Sequence, residues 1–128
     1  MRTVVVDRIP EWRYQAEVIA RLHKLEADGL PLTCAGDMNR AKRNRRERME
    51  AKVTGLTAGE PDVRVYLSNA RLISYELKTP DGSRSKDQKA RHARLHALGF
   101  EVETIAAKTP AEMADRIEAA VRARLNGV

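Results

Sequence analysis

Two short alternating segments constrain this chain more than anything else in it. Val63, Val65 and Leu67 alternate with Asp62, Arg64 and Tyr66, while Ile73, Tyr75 and Leu77 alternate with Leu72, Ser74, Glu76 and Lys78. A period of two marks a β-strand with one buried face. The polar turn Ser68-Asn69-Ala70 between them predicts an antiparallel hairpin of strands 63–67 and 72–77. A slip of one residue would turn every side chain over, so the apolar sets select one register. It places Val63 opposite Tyr75 and Val65 opposite Ile73.

That register also sets Asp62 opposite Glu76, with Lys78 one pleat further along the same face. Directly opposed Cβ atoms stand about 4.5–5.5 Å apart, where two like charges destabilise each other. A divalent cation with a taste for oxygen, Mg²⁺ or Mn²⁺, would turn that repulsion into attraction. Alone, Glu76-Leu77-Lys78 is an ordinary surface triplet and Pro61-Asp62 is common turn chemistry. The shared face makes them informative together.

The remaining chain reads as alternating helices and strands. Pro10 opens a helix from Glu11 to about Asp28, closed by Gly29 with Pro31 beyond. Val18, Leu22 and Leu25 form its apolar stripe, which Glu11 and Gln15 extend upstream, whereas Glu17 falls with Arg21, Lys24 and Asp28 on a polar face. Leu30 to Ala35 reads as a short buried strand, with Cys34 filling core space beside Leu32. The basic run then continues as a helix to about Lys52, and Gly55 to Gly59 is a flexible connection. After the hairpin come a turn at Pro80-Asp81-Gly82, a helix from Ser85 to Leu98 ended by Gly99, and a strand from Glu101 to Ala106. Thr109-Pro110-Ala111-Glu112 is a capping box for a last helix with Met113, Ile117, Val121 and Leu125 inward. The order is α-β-(α)-β-β-α-β-α, an α/β chain. Val4 to Val6 reads either as an edge strand or as a subunit contact.

Bulk properties narrow the classes. A chain of 128 residues is expected to be one domain, with a core over about 11–106 and a C-terminal helix over about 110–125. With 42% hydrophobic and 33% charged residues, disorder is excluded as the general state. No apolar run approaches the ~20 residues of a membrane span, and the apolar stretch after Met1 is too short for a signal peptide. Cys34 is the single cysteine, which excludes a disulfide framework and a cysteine-based zinc site and suits a reducing cytoplasm.

The net charge of +6 is concentrated. Arg40, Lys42, Arg43, Arg45, Arg46 and Arg48 face only Glu47 within residues 40–48. Such a local positive field attracts phosphate backbones, although a solvated helix face carries the same pattern. Trp12, Tyr14 and Tyr66 are candidates for stacking on bases, with Trp12 read instead as a packing anchor. His92 and His96 stand one helical turn apart, a zinc-like spacing, but no third ligand follows. They read as packing or exposed residues.

Glu11 with Gln15, Gly59-Glu60-Pro61-Asp62, Glu76-Leu77-Lys78 and Gln88 together resemble the pattern of the PD-(D/E)XK nuclease superfamily. Within it they resemble the small stand-alone VRR-NUC (virus-type replication-repair nuclease) domains, and Asn39-Arg40-Ala41-Lys42-Arg43-Asn44 is similar to the basic stretch of phage-type members. The resemblance spans about residues 11–106. It implies a restriction-endonuclease-like core, a mixed central sheet flanked by helices. It implies a Mg²⁺- or Mn²⁺-dependent DNA endonuclease with one or two ions, selective for DNA structure, serving replication, repair or recombination of a phage or mobile element. Asp62 and Glu76 would be metal ligands with the Leu77 carbonyl, Glu11 would act through bound water, and Lys78 would attend the attacking water. Gln88 would steady Lys78 or a phosphate, and Gln15 would be a supporting residue. DNA would be the partner, bound through the basic run, with homodimers common among small members. A non-catalytic nucleic-acid-binding module on the same fold is the alternative.

Overall fold

The computed structural model of the chain describes residues 8–37, 44–80, 82 and 85–127. Val4 to Val6, Asp81, and Arg40, Lys42 and Arg43 of the basic run lie outside the described residues. In chain order the elements are α1 (Glu11–Ala27), β1 (Leu32–Gly36), α2 (Arg45–Val53), β2 (Val63–Leu67), β3 (Arg71–Lys78), α3 (Lys86–Ala97), β4 (Glu101–Ala106) and α4 (Pro110–Asn126). This is the order read from the sequence. Strand β1 begins at Leu32 rather than Leu30, because the Leu30 N–H is spent closing α1 on the Leu25 carbonyl at 3.1 Å. Pro31 then has no N–H to give a ladder.

The sheet runs β1-β2-β3-β4. The first three strands are antiparallel, and β4 lies parallel to β3. A parallel neighbour requires a crossover, which α3 supplies. The hairpin register is Val63 against Tyr75 and Val65 against Ile73, as the alternation predicts.

Helices α1 and α4 cover one face of the sheet. Tyr14, Val18, Leu22 and Leu25 of α1 and Met113, Ile117 and Val121 of α4 join Val63, Val65, Ile73, Tyr75 and Leu77 in one buried cluster. Burying each such side chain contributes roughly 1.5–3 kcal/mol. The opposite face of β3 carries Ser74 and Glu76, and these are buried too, with His92 of α3 beside Glu76. A central strand covered on both sides thus holds a carboxylate away from bulk water. Burial of that kind demands partners, and these define the site.

Three local expectations change. Tyr14 is only 2% exposed and its hydroxyl donates to the Lys108 carbonyl at 2.9 Å, so it cannot stack on bases. Trp12 is 66% exposed and is no packing anchor. At α4, Thr109 accepts from the Glu112 N–H at 3.1 Å, but the Glu112 carboxylate reaches back to the Lys108 N–H, also at 3.1 Å, rather than to its cap. Helix α2, capped by Asn44 on the Glu47 N–H, has no buried residue. No helix among the described residues is long and apolar enough to cross a membrane.

Candidate active site

Asp62 stands just before β2, after Pro61, and is 4% exposed. Its Oδ2 accepts the Leu77 N–H at 2.7 Å. The carboxylate therefore takes a main-chain donor of β3 just past the last paired residue of β2, and it is tied to the strand bearing Glu76. The Asp62 carbonyl in turn accepts the Asp37 N–H at 2.9 Å. Asp37 is held by Gln15, whose Nε2 donates to the Asp37 carbonyl at 2.9 Å. Gln15 thus supports the Asp62 side of the site through the end of β1. A Cβ on Gly36 would come within 2.7 Å of that Gln15 nitrogen, so glycine there leaves room for the amide.

Glu76 is 2% exposed. Its Oε1 accepts from Gln88 Nε2 at 2.6 Å, and its Oε2 lies 3.5 Å from His92 Nε2. The Gln88 amide also serves the helix. Its Oε1 accepts the Ser85 N–H at 2.7 Å, while Ser85 Oγ accepts the Gln88 N–H at 3.1 Å. This capping box fixes the first turn of α3. With Oε1 committed to the cap, the amide must present its NH₂ to Glu76. Gln88 therefore meets the Glu76 carboxylate.

The Gly59-Glu60-Pro61-Asp62 turn is packed directly on that first turn. Gly59 has φ +82°, and a Cβ there would lie 2.4 Å from the Asp87 carbonyl oxygen and 2.8 Å from the Gln88 nitrogen. Only glycine allows this approach. Glu60, next in line, bonds both Arg64 of β2 and Arg91 of α3. Burial pushes its carboxyl pKa up, but the two guanidiniums outweigh burial and hold it below its ordinary value. Arg64 also lies 3.6 Å from Asp37.

Lys78 and Glu11 occupy the rim. Lys78 is exposed at the end of β3. Glu11, exposed in the first turn of α1, lines a depression of about 400 Å³ with Tyr14, Thr79, Pro80 and Lys108. Thr79, Pro80 and Lys108 also line a second depression, of about 320 Å³, which contains Lys78. The structure thus joins Asp62 to the Leu77 N–H and Glu76 to Gln88, links Gln15 to Asp62 through Asp37, and sets Glu11 and Lys78 in neighbouring depressions. Arg45, Arg46 and Arg48 are exposed on α2, Arg46 pairing with Glu50 at 3.0 Å.

Among the described residues, no three His, Cys, Asp or Glu side chains converge as a metal cage. The donor set still fits Mg²⁺ or Mn²⁺. Hard cations accept carboxylate and carbonyl oxygens, and Mg²⁺ in particular is commonly held by one or two carboxylates while keeping several waters. Two buried acids tied to one strand suit that habit.

Five residues to which the sequence assigns no role at the site belong to this arrangement. His92 is 3% exposed beside Glu76; its place one turn after Gln88 on the same helix face is the sequence signal for it. Asp37, Glu60 and Arg91 form the ionic frame with Arg64, and only the short sequence distance from Glu60 to Arg64 hints at it.

No family model matches the sequence, and no curated protein sequence matches it. Solved structures do. One, titled "VRR_NUC domain protein", superposes with a TM-score of 0.66 at 18% identity, covering 91% of this chain and 88% of its own. Another, titled "VRR_NUC domain", gives a TM-score of 0.52 at 16% identity over 85% of this chain and 94% of its own. The chain has an α/β fold similar to that of these VRR_NUC domain structures, with a mixed four-stranded sheet.

Proposed function

We propose that this protein is a Mg²⁺- or Mn²⁺-dependent endonuclease that hydrolyses phosphodiester bonds in DNA, selective for DNA structure, in replication, repair or recombination of a phage or mobile element. The observation that carries the reading is the joining of Asp62 to β3 at Leu77, beside a buried Glu76 and one residue before an exposed Lys78. A buried acid pair with no chemical role is costly, and metal-dependent hydrolysis on a VRR_NUC fold gives it one.

Asp62 and Glu76 would hold the ion, with the Leu77 carbonyl and with Glu11 through water. When bound, it would supply Lewis-acid polarisation of a phosphoryl oxygen and a lowered pKa for water. The chain's own groups do the rest. Lys78 carries its ammonium on the open edge, where it stabilises the negative charge that develops on a scissile phosphate. Gln88 holds the Glu76 carboxylate in one orientation, with His92 packed beside it. The Asp37–Arg64–Glu60–Arg91 frame keeps α3 closed on the Pro61-Asp62 turn. Arg45, Arg46 and Arg48 raise the local concentration of phosphate backbones.

The test is cleavage of supercoiled plasmid and branched DNA with Mn²⁺, against an EDTA control. Cutting is expected with the metal and none without it. Lys78→Ala should lower the rate by roughly a hundredfold or more while leaving stability within about 0.5 kcal/mol, as befits an exposed position. Undiminished cleavage by that variant would sink the assignment. Salt-sensitive binding with no cutting under any metal would mark a non-catalytic binding module instead.

A further inference from the structure

We infer that Lys108 is a DNA-binding residue that holds a backbone phosphate next to the one addressed by Lys78, in a cationic groove over the ends of β3 and β4. The inference deepens the nuclease reading and rests on it, because Lys78 is what ties the groove to the proposed site.

The fold gives Lys108 a fixed root. Strand β4 lies parallel to β3 with Ala106 against Lys78, and the Ala107 N–H donates to the Lys78 carbonyl at 3.3 Å. The chain therefore leaves β4 beside Lys78, then enters α4 through its cap Thr109. The Lys108 main chain is held from two sides. Its carbonyl accepts the Tyr14 hydroxyl at 2.9 Å, and its N–H donates to Glu112 Oε2 at 3.1 Å. Both bonds belong to the backbone, and the side chain is exposed. A cation on a rigid root loses less freedom when it takes a ligand.

Charge says what the groove takes. The depression of about 400 Å³ is lined by Arg8, Glu11 and Lys108, and the one of about 320 Å³ by Lys78, Lys108, Glu112 and Arg116. Lys108 is the charged residue common to both, with Thr79 and Pro80 completing the shared wall. Four cations thus face two carboxylates, and Glu112 is engaged by Arg116 at 2.8 Å. The other acid, Glu11, is outnumbered by Arg8, Lys78 and Lys108. Two lysines rooted on neighbouring strands, which lie about 4.8 Å apart, repel each other until anions settle over them. A nucleic-acid strand brings such charges in a row, one per phosphate. An acidic peptide would also meet the charge, but continuity with Lys78 and the buried acids of the site favours the phosphodiester backbone.

The test follows binding of a labelled DNA duplex by anisotropy in EDTA at several salt concentrations, and then Mn²⁺-dependent cleavage. Lys108→Ala should weaken binding roughly threefold to tenfold and lower the slope of log K against log salt by about 1. It should raise KM by a similar factor and leave kcat within about twofold, while Lys108→Arg should restore the slope. Lys24→Ala, exposed in the last turn of α1, is the control and should change neither slope nor KM. An unchanged slope in Lys108→Ala, an equal loss in Lys24→Ala, a fall in kcat without a rise in KM, or displacement of the duplex by polyglutamate as readily as by unlabelled DNA at equal charge would overturn the inference. Because EDTA removes the chemistry, failures separate. A reduced slope in Lys108→Ala without cleavage by the parent defeats the nuclease reading only, and cleavage with slope and KM unaltered in that variant defeats the groove only.

Discussion

Gln88 donates to Glu76 across 2.6 Å while the oxygen of the same amide accepts the Ser85 N–H at 2.7 Å. One side chain thus closes the N-terminus of α3 and orients a buried carboxylate of β3. The helix start and the site are the same piece of structure, and a defect in either propagates to the other.

Separable effects at Ser85 and Gln88 follow from this. Ser85→Ala removes one cap bond and should cost about 1 kcal/mol of stability, with a modest loss of cleavage as the Gln88 rotamer loosens. Gln88→Ala removes the reciprocal cap and leaves the Glu76 carboxylate short of a donor. It should cost about 1–3 kcal/mol and reduce cleavage much more than Ser85→Ala does. Urea denaturation beside plasmid cleavage measures both. Equal cleavage by the two variants would show that the amide matters only as a cap.

Gly59→Ala tests how closely the Gly59-Glu60-Pro61-Asp62 turn sits on α3. The new Cβ would meet the Asp87 carbonyl at 2.4 Å in a left-handed conformation. Strain and clash together should cost about 2–4 kcal/mol, and amide exchange should quicken across α3 more than across α1. Gly29→Ala is the control. Gly29 has a positive φ of 102° but nothing within 4 Å of a Cβ, so only the conformational part of the cost, about 1 kcal/mol, should appear.

Much of this is legible in the sequence because strand parity is unforgiving. Once Val63 and Tyr75 share a face, Asp62, Glu76 and Lys78 have to share the other. The sequence also shows where helices stop, since Gly29 and Gly99 take positive φ at the ends of α1 and α3. What stays hidden depends on tertiary neighbours. The sequence pairs His92 with His96, one turn ahead, whereas its partner is Glu76 on another element. Trp12 reads as an anchor because large aromatics favour cores, but the Lys108 carbonyl gives Tyr14 a hydroxyl partner and lets it take the inward place. Glu60 sits between two motif residues, and nothing local says that both Arg64 and Arg91 converge on it.

Glu60 should make stability sensitive to acid. Its folded pKa lies below the ordinary carboxylate value of 4.5, because Arg91 and Arg64 outweigh the opposing effect of burial. A depressed acid contributes stability that is complete above its unfolded pKa and is lost as pH falls through the folded one. Chemical denaturation from pH 7 to pH 3 should therefore show a loss, beginning near pH 4.5, that Glu60→Gln reduces. That variant should also loosen α3 at neutral pH, where the two guanidiniums lose their shared anion. A pH profile identical to the parent's would remove Glu60 from the ionic frame.

Tyr75 gives the opposite sign at the alkaline end. Its side chain is wholly buried in the core, and its hydroxyl meets no hydrogen-bond partner among the described residues. Burial, reinforced by Glu103, pushes its pKa from 10.0 up to about 12. A group whose loss of a proton is opposed by the fold contributes stability that is full below the unfolded pKa and declines as pH rises through the folded one. The protein should accordingly lose stability between pH 10 and 12. Tyr75→Phe keeps the ring, removes the buried hydroxyl and abolishes this titration. It should leave stability at pH 7 unchanged or raise it by about 1 kcal/mol, and it should flatten the alkaline decline in urea midpoints. A fall of more than about 1 kcal/mol at pH 7 would mean that the hydroxyl makes a bond worth as much as a typical buried one.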